Sequence, residues 1–66
     1  MNAIRRLRKA SKLSQYELAI EIGTDRSTVT KWETGRAFPR TDKLPHLARL
    51  LGCRIEDLYD NETPIR

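Results

Sequence analysis

The chain has 66 residues, of which 38% are hydrophobic, enough for one small domain near the lower size limit for a core without disulfides or metal ions. Its only cysteine and only histidine, Cys53 and His46, exclude an internal disulfide and a tetrahedral metal set. No apolar run approaches the length of a membrane span, and the N-terminus lacks the apolar core of a signal peptide. We therefore expect a cytoplasmic protein with no cofactor, no membrane contact and no small-molecule ligand.

The positive charge is concentrated in the first 40 residues, which hold nine Lys and Arg against four Asp and Glu, whereas residues 41–66 hold four against five. Part of this surplus, at Arg5, Arg6, Lys9 and Lys12, is compatible with an ordinary solvated helix face. A surplus confined to one part of a chain is also typical of a surface that meets nucleic acid phosphates.

The first two helices have clear start signals. Asn2 is placed to cap a helix that continues to about Ser11. Ser14 followed by Glu17 is a capping box, which predicts a second helix over residues 15–22, and Gly23 ends it because glycine adopts the left-handed conformation without steric cost.

A third helix is predicted over residues 26–34, with Asp25 as its N-cap and Gly35 after its end. At about 100° per residue, Val29 and Trp32 fall on one side of this helix, the side that faces a core. The opposite side carries hydroxyls and cations without a carboxylate, which suits DNA base edges and phosphates. Its residues are Ser27, Thr30, Lys31 and Thr34, with Arg26 at the N-terminal edge.

Residues 35–41 are predicted to be a loop, followed by a helix that buries Leu44, Leu47, Ala48 and Leu51 and ends at Gly52. Pro45 disfavours helical geometry before it, so this helix is expected to begin at Leu44 or Pro45. A final short helix is expected over residues 55–59. The predicted domain covers residues 1–60, and residues 61–66 form a polar C-terminal tail.

These features in order resemble the phage-repressor and Cro family of helix-turn-helix domains, also called the XRE family, over roughly residues 3–60. The residues that carry the resemblance are Ile4, Leu7, Arg8, Leu13, Ser14, Gln15, Glu17, Leu18, Ala19, Gly23, Ser27, Thr28, Val29, Trp32, Glu33, Gly35, Pro39, Leu44, Leu47, Ala48, Leu51, Ile55 and Leu58. The chain departs from the family at Thr24, in the turn, and at Arg54, where a Ser or Thr commonly caps the last helix. The second departure indicates a short or 3-10-like last helix.

The resemblance implies an all-α, compact bundle of five short helices, with the third helix in the DNA major groove. It implies that Arg26, Ser27 and Lys31 read bases and that Gln15 contacts phosphate. The chemistry of Thr30 adds a methyl group for thymine. The remaining expected phosphate contacts are Tyr16, Lys12, Thr34, Arg36 and Arg40, with half-buried packing as an equal alternative for Tyr16.

The resemblance also implies an ion pair between Arg8 and Glu33. Glu33 falls at the margin of the buried side of the third helix, where a carboxylate is costly unless it is paired. The expected role of the pair is structural: it would fix the third helix against the first.

The predicted function is sequence-specific binding of double-stranded DNA by a transcriptional regulator that is not an enzyme, most simply a Cro-like repressor that occupies a palindromic operator. One recognition helix reads few base pairs, so we expect a homodimer. Its interface is expected at the C-terminal end, where Leu51, Ile55, Leu58, Tyr59 and Ile65 offer apolar area. The alternative is a protein-interaction module, of antitoxin or antirepressor type, that reuses the same fold. RNA binding has only the charge in its favour, since no exposed aromatic platform is evident.

Overall fold

The computed structural model describes residues 2–59, in which the regular elements are helical. Four α-helices follow one another: α1 (Ala3–Ala10), α2 (Gln15–Ile22), α3 (Arg26–Glu33) and α4 (Leu44–Leu51). Single 3-10 turns lie at Thr41–Lys43, directly before α4, and at Ile55–Leu58. The prediction of five helices is therefore wrong in its count, because the fifth place is taken by a 3-10 turn, as the departure at Arg54 indicated.

The start of α2 forms as its sequence predicts. The Ser14 hydroxyl accepts from the Glu17 backbone N–H at 3.0 Å, and the Glu17 carboxylate accepts from the Ser14 N–H at 2.8 Å. At the other end, Gly23 takes a φ of +84°, and its N–H bonds back to the Ala19 carbonyl at 2.9 Å. Both ends of α2 are thus fixed by short-range bonds.

Pro45 is accommodated because α4 begins at Leu44, as one of the two predicted starts has it. The proline then lies in the first turn of the helix, where a backbone N–H has no intrahelical partner to lose. The residues between Arg40 and the helix form the preceding 3-10 turn. Gly52 ends α4 in the left-handed conformation, with a φ of +69°.

One hydrophobic core joins all four helices and the C-terminal 3-10 turn. Leu18, Val29 and Leu47 are fully buried in it, and Trp32 is 4% exposed. The remaining buried members are Ile4, Ala19, Ile22, Leu44, Ala48, Leu51 and Leu58. Because Val29 and Trp32 point into this core, the opposite side of α3 is left on the surface.

No helix within residues 2–59 is long and apolar enough to cross a membrane. The predicted tail at residues 61–66 lies outside the described residues.

Candidate nucleic-acid interface

The N-terminus of α3 is held by Asp25, the predicted N-cap. Its carboxylate accepts from the Thr28 backbone N–H at 3.0 Å and from the Thr28 hydroxyl. These two bonds, the side-chain one first, lower the pKa of Asp25 below its ordinary value of 3.8. The carboxylate is exposed and also accepts from the Ser27 hydroxyl at 3.3 Å, so one negative charge lies at the edge of the outward side of α3.

The outward side of α3 and the residues just after it form one shallow surface depression, which we call the α3 face. It brings together all four predicted base-reading residues and two of the predicted phosphate contacts. Its lining residues are Arg26, Ser27, Thr30, Lys31, Thr34 and Arg36. Three of the six are cations and three carry hydroxyls, so the face offers mainly hydrogen-bond donors.

The hydroxyls of the α3 face are partly engaged with their own helix. Thr34 is the C-cap residue, and its hydroxyl donates to the Thr30 carbonyl at 2.9 Å. The Thr30 hydroxyl lies 3.1 Å from the Arg26 carbonyl and 3.3 Å from the Gln15 side-chain oxygen, and its single proton serves either acceptor. The cations are therefore the long, adjustable groups of the face.

The other predicted phosphate contacts are spread around this face. Gln15, the first residue of α2, is half-buried, whereas the Tyr16 side chain is 63% exposed, which removes packing as the explanation for this tyrosine. Lys12 is exposed in the turn before α2, with a φ of +62°. Arg40 lies in a separate depression beside Thr41 and Asp42, so the structure does not bring it together with the α3 face.

Arg8 and Glu33 meet between α1 and the end of α3. Arg8 Nε donates to Glu33 Oε2 at 2.5 Å and Arg8 Nη2 donates to Glu33 Oε1 at 3.1 Å, a bidentate pair in which each residue is 8% exposed. Arg8 Nη1 also donates to the Leu13 carbonyl at 2.7 Å. The pair therefore ties α3 both to α1 and to the turn before α2.

Burial by itself would raise the pKa of Glu33. Hydrogen bonds from Arg8 and Gln15, together with the nearby positive charge of Arg8, outweigh burial and hold this pKa below its ordinary value of 4.5. Glu33 is consequently a carboxylate at neutral pH, and it accepts hydrogen bonds without donating any.

Gln15 makes contacts that the sequence did not predict. Its Nε2 donates to Glu33 Oε1 at 3.0 Å, and its Oε1 accepts from Arg26 Nε at 3.3 Å. It therefore lies between the buried ion pair and the first residue of the α3 face. No spacing in the sequence signals this contact, because the three residues come from two helices and are 18 and 11 positions apart.

The four predicted dimer residues that lie within residues 2–59 divide into two groups. Leu51 and Leu58 are 5% and 2% exposed in the monomer core, so their assignment to a dimer surface is wrong. Ile55 and Tyr59 are 39% and 49% exposed. Ile65 lies outside the described residues.

A further exposed aromatic residue lies beside Tyr59 and was missed by the sequence analysis. The Phe38 ring, 43% exposed, stacks on the Tyr59 ring with a centroid distance of 4.8 Å. We call Phe38, Ile55 and Tyr59 the apolar patch.

Comparison with known proteins gives the same arrangement of elements a family. A family model described as helix-turn-helix matches residues 4–58. The chain is 27% identical over 59 residues to the HTH-type transcriptional activator BcrR of Enterococcus faecalis, covering 89% of this chain and 29% of that protein. It is 36% identical over 53 residues to Multiprotein-bridging factor 1 of Candida albicans, covering 80% of this chain and 35% of that protein.

An archaeal relative is similar in length. The chain is 36% identical over 56 residues to an uncharacterized HTH-type transcriptional regulator of Archaeoglobus fulgidus, covering 85% of this chain and 80% of that protein. By contrast, it spans only about a third of the length of the first two relatives. The family match over residues 4–58 and the archaeal relative agree with the capping box, the Gly23 turn and the exposed α3 face, and the chain belongs to the XRE-type helix-turn-helix family.

Proposed function

We propose that this protein is a sequence-specific regulator of transcription that binds double-stranded DNA with α3 in the major groove. The observation that carries the proposal is the α3 face, which is exposed and rich in donors, on a helix whose opposite side is locked into the core. Major-groove edges of guanine and adenine present acceptors, and phosphates are acceptors throughout, so a face of donors is complementary to both. Membership of the family supports the same docking.

Two sets of residues have different roles in this proposal. Arg26, Ser27, Thr30 and Lys31 read base edges. The phosphate contacts that hold the helix in the groove come from Gln15, Tyr16, Lys12, Thr34, Arg36 and Arg40. Arg26 is the main reader, because a guanidinium at the first position of α3 reaches ahead of the helix and can bond guanine O6 and N7 together.

The protein is proposed to act as a homodimer on a palindromic operator. One eight-residue helix contacts few base pairs, so useful specificity needs two half-sites, about 34 Å apart along the DNA. The apolar patch is the surface we assign to the dimer contact. Phe38, Ile55 and Tyr59 are large and exposed, and they do not line the α3 face, so pairing through them leaves that face uncovered.

We further propose that the regulation is repression by occlusion. A bound dimer covers the operator, and exclusion of polymerase from a promoter requires no contact beyond DNA binding itself. The Enterococcus relative carries the name of an activator, so the sign of regulation needs its own test. A reporter gene with the selected operator across the promoter should be silenced by the protein; increased expression would contradict this part of the proposal.

Selection of bound sequences from random duplex DNA is the experiment that tests DNA reading, palindromy and spacing together. The proposal expects an enriched sequence with two inverted half-sites. Arg26→Ala should lower affinity by about 1 to 3 kcal/mol per half-site and relax preference at one base pair. Arg49→Ala removes an exposed arginine of α4 outside the α3 face and serves as the matched control. No enrichment, or equal losses in both variants, would contradict the proposal.

A protein-interaction module is the second candidate, and the similarity to Multiprotein-bridging factor 1 favours it. The charge of the α3 face argues for DNA instead, because a module that binds only protein has no need for Arg26, Lys31 and Arg36 around a face built on one helix. The second candidate would replace the first if selection from random DNA enriched no sequence while the protein captured a partner protein that Lys31→Ala failed to capture.

A further inference from the structure

A chain of hydrogen bonds runs from the buried ion pair to the α3 face through one side chain, Gln15. It consists of Arg8, Glu33, Gln15 and Arg26, and we call it the relay. Arg8 donates twice to Glu33, Gln15 Nε2 donates to Glu33 Oε1, and Arg26 Nε donates to Gln15 Oε1. The two distances at Gln15 are 3.0 and 3.3 Å.

The side chains of the relay are oriented in sequence, because each one restricts the orientation of the next. A carboxylate accepts hydrogen bonds only, so Glu33 selects the orientation of the Gln15 amide in which the nitrogen points inward. The amide oxygen then points toward α3, where Arg26 Nε and the Thr30 hydroxyl both lie within 3.3 Å. Arg8 holds the carboxylate in place from the other side. Without Glu33, the amide would keep only the 3.3 Å contacts with Arg26 and Thr30 on the surface side, and its nitrogen would lose its charged acceptor.

We propose that the ion pair is a positioning element for base reading: Glu33 orients Gln15, and Gln15 holds Arg26 by its Nε. This inference rests on the proposed function and extends the purely structural role expected for the pair. With Nε occupied, the two terminal nitrogens of Arg26 remain for a base edge, and no acceptor within residues 2–59 bonds them. A bidentate contact with guanine needs two N–H groups in a fixed plane, so restricting the guanidinium favours that contact over looser ones.

Gln15 keeps its proposed phosphate contact in this arrangement. A primary amide has two N–H groups, and only one of them is used by Glu33. A Gln15 that only contacts phosphate and a Gln15 that also positions Arg26 differ in one measurable respect. Loss of the phosphate contact weakens binding to all DNA sequences alike, whereas loss of the relay also lowers discrimination at the base pair that Arg26 reads.

The binding test compares Glu33→Gln and Gln15→Met, which keep side-chain length, with the control Val29→Ala, which destabilises α3 from the core without touching the relay. The measured quantity is the ratio of Kd values for operators that differ at the base pair read by Arg26. We expect this ratio, on the order of tenfold or more in the unmodified protein, to fall at least about fivefold in both relay variants and to persist in Val29→Ala. An unchanged ratio in both relay variants overturns the proposal, even if both melt at lower temperature.

A second measurement uses the protein without DNA. In ¹⁵N–¹H spectra, Glu33→Gln should shift the Gln15 side-chain amide and the Arg26 Nε–H signals, and Gln15→Met should shift the Arg26 signal; neither should move in Arg49→Ala. If the Arg26 Nε–H signal shifts in neither relay variant although the protein still selects an operator, the relay is overturned and the proposed function is not. Shifts as expected in a protein that selects no DNA would instead show that the proposed function has failed, and this proposal with it.

Discussion

Removing either partner of the Arg8–Glu33 pair should destabilise the fold by about 3 kcal/mol, because it leaves the other charge buried and uncompensated. The structure gives the reason for a value well above that of a surface pair. Both residues are 8% exposed, and two hydrogen bonds join them. In Arg8→Ala the carboxylate would keep Gln15 as its hydrogen-bond partner and only the more distant charge of Arg5, and in Glu33→Ala the guanidinium would keep only its hydrogen bond to the Leu13 carbonyl.

The size of the effect suits a direct measurement. In a domain of this length, 3 kcal/mol corresponds to a fall in Tm of roughly 12 to 24 °C. Urea unfolding followed by the fluorescence of Trp32, the only tryptophan and 4% exposed, reports the free energy of each variant. If the two charges depend on each other, the double variant should cost far less than the two single losses added together, with a coupling of about 2 kcal/mol.

The control is the pair Arg40–Asp42, whose atoms are 3.9 Å apart with side chains 83% and 74% exposed. An exposed pair of this kind contributes at most about 1 kcal/mol, so its double-mutant cycle should give a coupling near zero. A coupling below about 0.5 kcal/mol for Arg8 and Glu33 as well would refute the argument that burial makes their pairing essential.

Three further predictions concern pH, salt and the turn. Because the pKa of Glu33 is lowered in the folded state, its contribution to stability is present above the ordinary value of 4.5 and is lost as pH falls through the folded value. Urea unfolding midpoints measured at decreasing pH should show this loss of stability. The loss should be absent in the double variant Arg8→Ala/Glu33→Ala. If six phosphates are neutralised across a dimer, the logarithm of the binding constant should fall with the logarithm of salt concentration with a slope of roughly −5, and an anisotropy titration with a slope near zero would contradict phosphate binding. Gly23→Ala should cost about 1 kcal/mol, measured by urea unfolding, through the φ of +84° alone, since an added Cβ would meet no atom within 4 Å; an unchanged midpoint would show that the turn relaxes.

Local features of this fold were predictable because their causes are local. The capping box of α2 needs only Ser14 and Glu17, and the glycine turn needs only Gly23. The inward side of α3 follows from Val29 and Trp32 at helical spacing. Even the 3-10 turn at Ile55–Leu58 had a signal, since Arg54 is a poor helix cap: it has no side-chain oxygen to accept from the first turn.

The errors arise where burial depends on tertiary contacts. An apolar residue near the C-terminus can close the domain's own core or contact a second copy, and the sequence pattern is the same for both. A domain this small needs most of its large apolar residues for its own core. Leu51 and Leu58 are buried there, while Ile55 and Tyr59 remain on the surface. Phe38 was missed for the same reason, because its stacking on Tyr59 joins residues 21 positions apart along the chain.

The position of α3 illustrates how a small domain can fix the helix that we propose reads DNA. Val29 and Trp32 bury its inner side, but apolar packing alone permits small rotations and shifts of an eight-residue helix. Directional bonds remove this freedom at separate points. At the C-terminal end of α3, the Asn2 side chain donates to the Trp32 carbonyl at 2.7 Å and Arg8 donates to Glu33. At the N-terminal end, Gln15 accepts a hydrogen bond from Arg26.

These bonds act on both ends of α3 and come from different elements, Asn2 and Arg8 from the first helix and its cap, Gln15 from α2. Bonds at both ends of the helix restrict its sliding along its axis and its rotation about that axis. A displacement of about 1 Å is enough to spoil hydrogen bonds to a base edge, whose useful range is narrow. Under the proposed function, the polar contacts at the two ends of α3 therefore contribute to the accuracy with which a base is read as well as to stability.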